Sequence, residues 1–213
     1  MRVVVPFAPE RPKTRLAPVL DETERVAFAR AMLDDTLSAL STLDRERSVP
    51  VDPFVLSTAP LDVDAPVAVD DRPLTEAVDD HLPADDGDAP VAVVMADLAL
   101  ATPTALGRLF EPDADVVIAP GRGGGTNALV VRDPAFRVDY HGASVRDHRE
   151  IVREAGLSLA EVDSFRLATD VDEPADLVEV VLHGTGEAGA WLREAGFSVV
   201  AADGRVDIER NSG

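Results

Sequence analysis

The sequence has no cysteine, which excludes disulfides, thiolate metal sites and cysteine nucleophiles. That absence fits a reducing cytoplasm, the compartment expected for this chain. Lysine is almost absent too: among 20 basic residues Lys13 is the only lysine, and the rest are arginine. Positive charge is short overall, leaving a net charge of −20. This balance argues against a polynucleotide partner and against anionic membrane surfaces, both of which need clustered cations. It leaves room for one small anion in a locally basic pocket. No apolar run is long enough for a membrane span, and the run after Met1 is too short for a signal peptide. Internal repeats, a Walker phosphate loop, a dinucleotide fingerprint and an evident serine–histidine–aspartate triad are also missing.

What is present is a chain of 213 residues, 46% apolar, enough for one α/β domain with a substantial core over residues 1–213. Residues 83–90 read as an acidic surface loop, and the stretch after about residue 203 as a polar tail that frays. Acid is spread along the chain, as in Asp34-Asp35, Asp70-Asp71, Asp79-Asp80 and Asp85-Asp86. Such an acidic, lysine-poor surface resembles proteins from salt-loving archaea, where salt screens self-repulsion.

Short apolar runs predict buried strands at residues 3–7, 54–57, 91–95 and 116–119, with another at 127–131. Helical patterns lie between them. Asp21, with Glu24 three residues on, predicts a capped start for a helix carrying Phe28, Met32, Leu33, Leu37 and Leu40. Thr102-Pro103 predicts a short helix, Ser144 an N-cap for the next, and Glu173-Pro174 a helix through Leu177 and Val180. Trp191 and Leu192 belong to a C-terminal helix. Strands alternating with helices imply a mostly parallel sheet covered on both faces, with ligands beyond the carboxyl ends of its strands.

Five segments can carry chemistry there. The loop after the first strand holds Arg11, Lys13 and Arg15 between prolines. A basic loop in that place can hold a triphosphate and stabilise leaving pyrophosphate, although an ordinary solvated loop would look the same. A composition that otherwise avoids lysine keeps one here, as a compact point charge, with Arg15 as a fork. The apolar strand 91–95 runs into Asp97, a candidate magnesium ligand or a plain loop aspartate. Asp170 and Asp172 alternate in an extended segment, so both point to one side, where a divalent ion would relieve their repulsion, or they form a solvated acidic turn with Asp172 capping the next helix. The run Gly121-Arg122-Gly123-Gly124-Gly125-Thr126-Asn127 lets the backbone approach an anion closely, with the Thr126 hydroxyl as a donor, or is simply a flexible loop. Last, Ser144 at a helix start could offer hydroxyl and amide to a phosphate, or merely cap the helix. His148 and His183 read as structural or surface residues rather than catalysts.

In this order the five segments resemble the 2-phospho-L-lactate guanylyltransferase family, CofC, from Val3 to about Phe197. The most specific parts are Lys13-Thr14-Arg15-Leu16, the glycine run 121–127, Ser144 followed by His148, and Asp170-Val171-Asp172-Glu173-Pro174. The resemblance implies a Rossmann-like, GT-A-like nucleotidyltransferase fold, an α/β three-layer sandwich in a single domain. It implies condensation of 2-phospho-L-lactate with GTP to give lactyl-2-diphospho-5'-guanosine and pyrophosphate, in coenzyme F-420 biosynthesis. It also implies magnesium on Asp97, Asp170 and Asp172, and acceptor-phosphate contacts at Thr126, Ser144 and the Gly142 backbone. Lys13 and Arg15 would lie beside the nucleotide phosphates as catalytic groups, Leu74 and Thr75 near the nucleoside, and the protein would be a homodimer.

The chain departs from relatives in three places. They usually read Asp-Leu-Pro-Leu at Asp97-Leu98-Ala99-Leu100, many read Gly-Leu-Asn at Pro73-Leu74-Thr75, and a glycine is common at His141. The second bears on base recognition and the third on the acceptor. Bacterial relatives use phosphoenolpyruvate, so the acceptor stays open between two acids. A nucleotidyltransferase with another phosphorylated acceptor, a glycosyltransferase and a non-catalytic nucleotide-binding protein are the competing readings.

Overall fold

The computed structural model describes residues 1–47, 50–202 and 204–211. Seven strands form one sheet: β1 (Arg2–Phe7), β2 (Asp52–Ser57), β3 (Val67–Val69), β4 (Val91–Val94), β5 (Val116–Pro120), β6 (Thr126–Val131) and β7 (Leu159–Glu161). Their spatial order is β3-β2-β1-β4-β6-β5-β7. Every pairing is parallel except those of β6, which runs antiparallel to both β4 and β5. The five expected strands are all present. The sequence does not announce β3 and β7, because three residues each are too few to show a period.

The central strands are nearly continuous valine and alanine because both their faces are covered. Val3, Val5, Ala92, Val94, Val117 and Val130 pack under α1 (Glu22–Arg47) and α3 (Pro103–Gly107). Val4, Val93, Ile118, Leu129 and Val131 face the opposite way, towards α2 (Leu74–Asp79) and α4 (Ser144–Ala155). α1 starts as its sequence dictates: Glu24 N–H donates to Asp21 Oδ1 at 2.8 Å, and Asp21 N–H donates to Glu24 Oε2 at 2.9 Å. Thr102 caps α3 by accepting from Ala105 N–H at 3.2 Å. Glu173 opens a 3-10 turn at Pro174–Asp176 with a reciprocal capping box, and α6 (Leu177–His183) follows.

A third core lies outside α1. There Phe28, Met32, Leu16, Val171 and Leu177 pack with Leu192 of α7 (Glu187–Glu194). It joins the loop after β1 and the segment 170–172 to one support, so two functional stretches far apart in sequence share an anchor. α7 is held by a cap from another helix: Asp35 of α1 accepts from Glu187 N–H at 2.6 Å and from Ala188 N–H at 2.9 Å. A Cβ on Gly186 would fall 2.1 Å from Asp35 Oδ1. Gly186→Ala should therefore displace this cap and cost about 1–2 kcal/mol, measured as a lower denaturant midpoint with an unchanged slope. An unshifted midpoint would show that Asp35 does not hold α7.

Two expectations need correction. The stretch after residue 203 is not a fraying tail in its described part: β9 (Arg205–Arg210) pairs antiparallel with β8 (Phe197–Ala202). The hairpin is held by Arg210, which donates to Ala195 O at 3.0 Å, pairs with Glu24, and lies 5.1 Å over the Phe197 ring. Residues 203, 212 and 213 of that expected tail lie outside the described residues. The second correction is Ser144, which does not cap α4. Ala143 occupies the cap position without a side-chain bond, and the Ser144 hydroxyl is engaged elsewhere.

Candidate active site

The chain builds β1, moves outward through β2 and β3, and returns to lay β4 on the other side of β1. This reversal opens a crevice at the carboxyl ends of β1 and β4, the place where open α/β sheets bind ligands. A cavity of about 390 Å³ lies there, between Phe7 and Ala8 at the end of β1, Met95 and Asp97 after β4, and Lys13 and Arg15 of the loop. That is within the size range of small-molecule sites.

Lys13 is the centre of the crevice. Its Nζ donates to Asp97 Oδ2 at 2.7 Å and to Asp172 Oδ1 at 2.9 Å. Its backbone is left-handed, with φ 52° and ψ 46°, and Arg11 also has a positive φ of 46°. For non-glycine residues such a conformation costs on the order of 1–2 kcal/mol and persists only where the surroundings impose it. Here the buried Leu16 and the turn closed by Leu16 N–H on Lys13 O impose it. Burial alone would lower the Lys13 pKa, but Asp97 and Asp172 outweigh it and hold the ammonium above its ordinary value. Arg15 stands further out, exposed, with Nη1 3.9 Å from both Asp172 and Glu173.

Lys13 bridges Asp97 and Asp172, whereas Asp170 is held by Asn127. Val171 is fully buried between Asp170 and Asp172, and of the two acids it is Asp172 that lines the crevice. Asp170 accepts from Asn127 Nδ2 at 3.1 Å. Burial raises its pKa, the Asn127 bond opposes that, and the charges of Asp97 and Asp172 raise it further. Asp97 Oδ1 is buried with no hydrogen-bond partner. A buried anionic oxygen without a donor is costly, and a hard cation is the partner that would satisfy it. Among the described residues no three histidine, aspartate or glutamate side chains already stand together as a ready metal cage. The cation between Asp97 and Asp172 is the Lys13 ammonium.

The glycine run meets the acidic segment through Asn127. Gly121 N–H donates to Gly125 O, Gly124 N–H to Gly121 O, and Arg122 N–H to Ala168 O, so the loop is folded on itself and on the end of α5 (Phe165–Ala168). A Cβ on Gly121 would lie 2.5 Å from Asn127 Oδ1, so glycine is required for Asn127 to reach Asp170. Arg122 donates to Asp176, whose other oxygen accepts the amides of Asp172 and Glu173. Asn127, Arg122 and Asp176 thus join the candidate site, and the sequence singles out none of the three individually. Asn127 does stand in the glycine motif, and its place there was the available signal.

Thr126 and Ser144 come together, as expected, at the amino end of α4. Thr126 N–H donates to Ser144 Oγ at 2.9 Å, and Thr126 Oγ1 lies 2.8 Å from Nδ1 of the buried His148. Gly142, two residues before Ser144, has φ 54°, a turn glycine. A second cavity of about 230 Å³ adjoins the first through Phe7 and Met95, and Leu74 and Arg72 line it. Thr75 departs from expectation: it is absent from that lining, and its hydroxyl accepts from Tyr140 N–H at 3.1 Å, tying α2 to the segment before α4. His183 sits at the surface beside Phe165.

A mostly parallel α/β sheet with a basic loop and acidic groups at its switch point defines the nucleotidyltransferase-like class. A Desulfovibrio desulfuricans protein described as a nucleotide-diphospho-sugar transferase shares this fold, with a TM-score of 0.70 at 21% identity over 91% of this chain and 94% of that one. The chain belongs to the family described as guanylyl transferase CofC like, whose model matches residues 1–211. A relative from Halomicrobium mukohataei, named 2-phospho-L-lactate guanylyltransferase, is 64% identical over 99% of this chain and 100% of its own length. A Haloferax volcanii protein of the same name is 63% identical over 99% of this chain and 98% of its own.

Proposed function

We propose that this chain condenses 2-phospho-L-lactate with GTP, giving lactyl-2-diphospho-5'-guanosine and pyrophosphate in coenzyme F-420 biosynthesis. The observation that supports it most is the Lys13–Asp97–Asp172 cluster in the switch-point cavity, in a chain so similar to proteins of that name. An oxygen of the acceptor phosphate attacks the α-phosphorus of GTP, and the bond to the β-phosphate oxygen breaks. The acceptor is already ionised at neutral pH, so a strong general base is unnecessary, which suits a crevice with no histidine in its lining. Lys13 has three donors and uses two on Asp97 and Asp172, leaving one for a phosphate oxygen. Arg15, exposed at the rim, would meet the pyrophosphate as charge gathers on it.

The oxygen donors and the unpartnered Asp97 Oδ1 fit magnesium, which Asp97, Asp170 and Asp172 would hold. When bound, magnesium would neutralise the mutually repelling phosphates and align them. The Thr126 and Ser144 hydroxyls and the Gly142 backbone would take the acceptor phosphate. Leu74 and the second cavity would take the nucleoside. We further propose a cytoplasmic homodimer that works in high salt, since −20 charges on 213 residues repel one another in dilute buffer.

The test is purified protein with GTP and magnesium, offered 2-phospho-L-lactate or phosphoenolpyruvate in molar potassium chloride and in dilute buffer. The expected product has the mass of lactyl-2-diphospho-5'-guanosine, with one pyrophosphate per turnover and a higher rate in salt. Pyrophosphate release with neither acid would defeat the reading.

A further inference from the structure

We propose that His148 is a positioning residue that sets the Thr126 hydroxyl as a hydrogen-bond donor towards the acceptor phosphate. The inference rests on the reading of Thr126 and Ser144 as acceptor contacts.

The geometry starts at the far nitrogen. His148 Nε2 lies 2.9 Å from the backbone N–H of Asp139, which can only donate, so Nε2 is the bare, accepting nitrogen. Burial opposes the charged form and lowers the His148 pKa to about 4, although Asp139 and Asp147 pull the other way. A neutral ring with Nε2 bare carries its hydrogen on Nδ1. Nδ1–H therefore donates to Thr126 Oγ1 at 2.8 Å. The ring cannot turn over easily, because Phe136 and Tyr140 meet it edge-on at 5.7 and 5.3 Å between centroids.

The consequence falls on Thr126. Its oxygen is committed as an acceptor to His148, so its own hydrogen must point elsewhere. Ser144 is in the same state, since its Oγ accepts from Thr126 N–H. Among the described residues neither hydroxyl hydrogen has a protein acceptor. Two adjacent buried hydroxyls are thus left as donors without a protein acceptor, beside the start of a 12-residue helix whose N-terminus also favours an anion. With the other tautomer, His148 would draw the Thr126 hydrogen to itself and present the phosphate with oxygen lone pairs.

A pair of substitutions separates this role from mere packing. In His148→Asn the amide nitrogen takes the place of Nδ1 and can still donate to Thr126. In His148→Gln the amide oxygen takes the place of Nε2 and can still hold Asp139, but the Thr126 bond is lost. Steady-state kinetics with 2-phospho-L-lactate should show KM for the acid raised about tenfold in His148→Gln and within about threefold of wild type in His148→Asn. KM for GTP should be unchanged in both. Equal acceptor KM in the two variants, or equal shifts for acid and GTP, would overturn the proposal. Thr126→Val is the control for the underlying site: no rise in acceptor KM there would remove Thr126 itself from the acceptor contacts. If a histidine variant fails to fold, nitrogen NMR of the wild-type ring near neutral pH decides. The proton is expected on Nδ1, and finding it on Nε2 would overturn the proposal.

Discussion

Asp97→Asn should lower turnover by roughly 10²–10³-fold while the protein stays folded. Asparagine keeps the shape of the side chain and can still accept from the Lys13 ammonium through its oxygen. What it removes is the negative charge on a side chain whose Oδ1 is buried without a partner. Stability should change little. The loss of one partner of Lys13 is offset by relief of Asp170, whose carboxyl is raised in part by the Asp97 charge. The measurement is turnover across a magnesium titration, with a thermal midpoint recorded alongside. Wild-type turnover at saturating magnesium would remove Asp97 from the reaction centre.

Lys13→Ala should act on stability and chemistry together. Without the ammonium, Asp97, Asp170 and Asp172 crowd one another with no cation between them. The Lys13 side chain is 12% exposed and its partners are 25% and 44% exposed, so the cost falls well below that of breaking a fully buried pair. About 2 kcal/mol, or roughly 5 °C in thermal midpoint, is expected. The Lys13 pKa is raised by folding, so its contribution stands from neutral pH to about 10.4 and is lost as pH rises through the folded-state value. The deficit of the variant should therefore be constant between pH 7 and 9. Added magnesium should restore the midpoint of the variant more than it shifts that of the wild type, since the ion occupies a site the ammonium has left. Turnover should remain down by about 10²-fold, because the donor to the nucleotide phosphates is gone. Unchanged kinetics would exclude Lys13 from the site, and a midpoint indifferent to magnesium would separate the carboxylates from the metal.

Both predictions concern residues that the sequence singles out, and the reason is physical. Asp97 follows an apolar strand, so its place at the carboxyl end of a parallel sheet follows from strand direction alone. Lys13 is conspicuous because nothing else in the chain is lysine. The alternation of Asp170, buried Val171 and Asp172 reads directly as two acids on one side. Asn127 could not be read this way. Counting back along β6 from Val130 and Ala128 would turn Asn127 away from the face of α5. The ladder skips a residue there: Ala119 pairs with Ala128, but Pro120 pairs with Thr126. This bulge swaps the faces of Thr126 and Asn127, sending one to His148 and the other to Asp170. A bulge depends on pairing with a second strand, so one strand's sequence does not announce it.

His148 was equally hidden. Its burial agrees with a structural reading, and only its two opposed partners, Asp139 N–H and Thr126 Oγ1, give that burial a consequence for the site. Thr75 erred the other way. Its position in a family motif suggested a nucleoside contact, whereas its hydroxyl is tied to Tyr140, and Leu74 beside it lines the cavity. Ser144 stands at the start of α4 as expected, but it accepts from Thr126 rather than capping the helix.

The most direct test is a crystal structure of the protein with GTP and manganese in place of magnesium, using manganese anomalous scattering to place the metal. The account predicts a peak about 2 Å from Asp97 Oδ1, with the triphosphate in the crevice and Lys13 Nζ on one of its oxygens. A nucleotide and metal bound at another face, with the Lys13–Asp97–Asp172 contacts undisturbed, would contradict it.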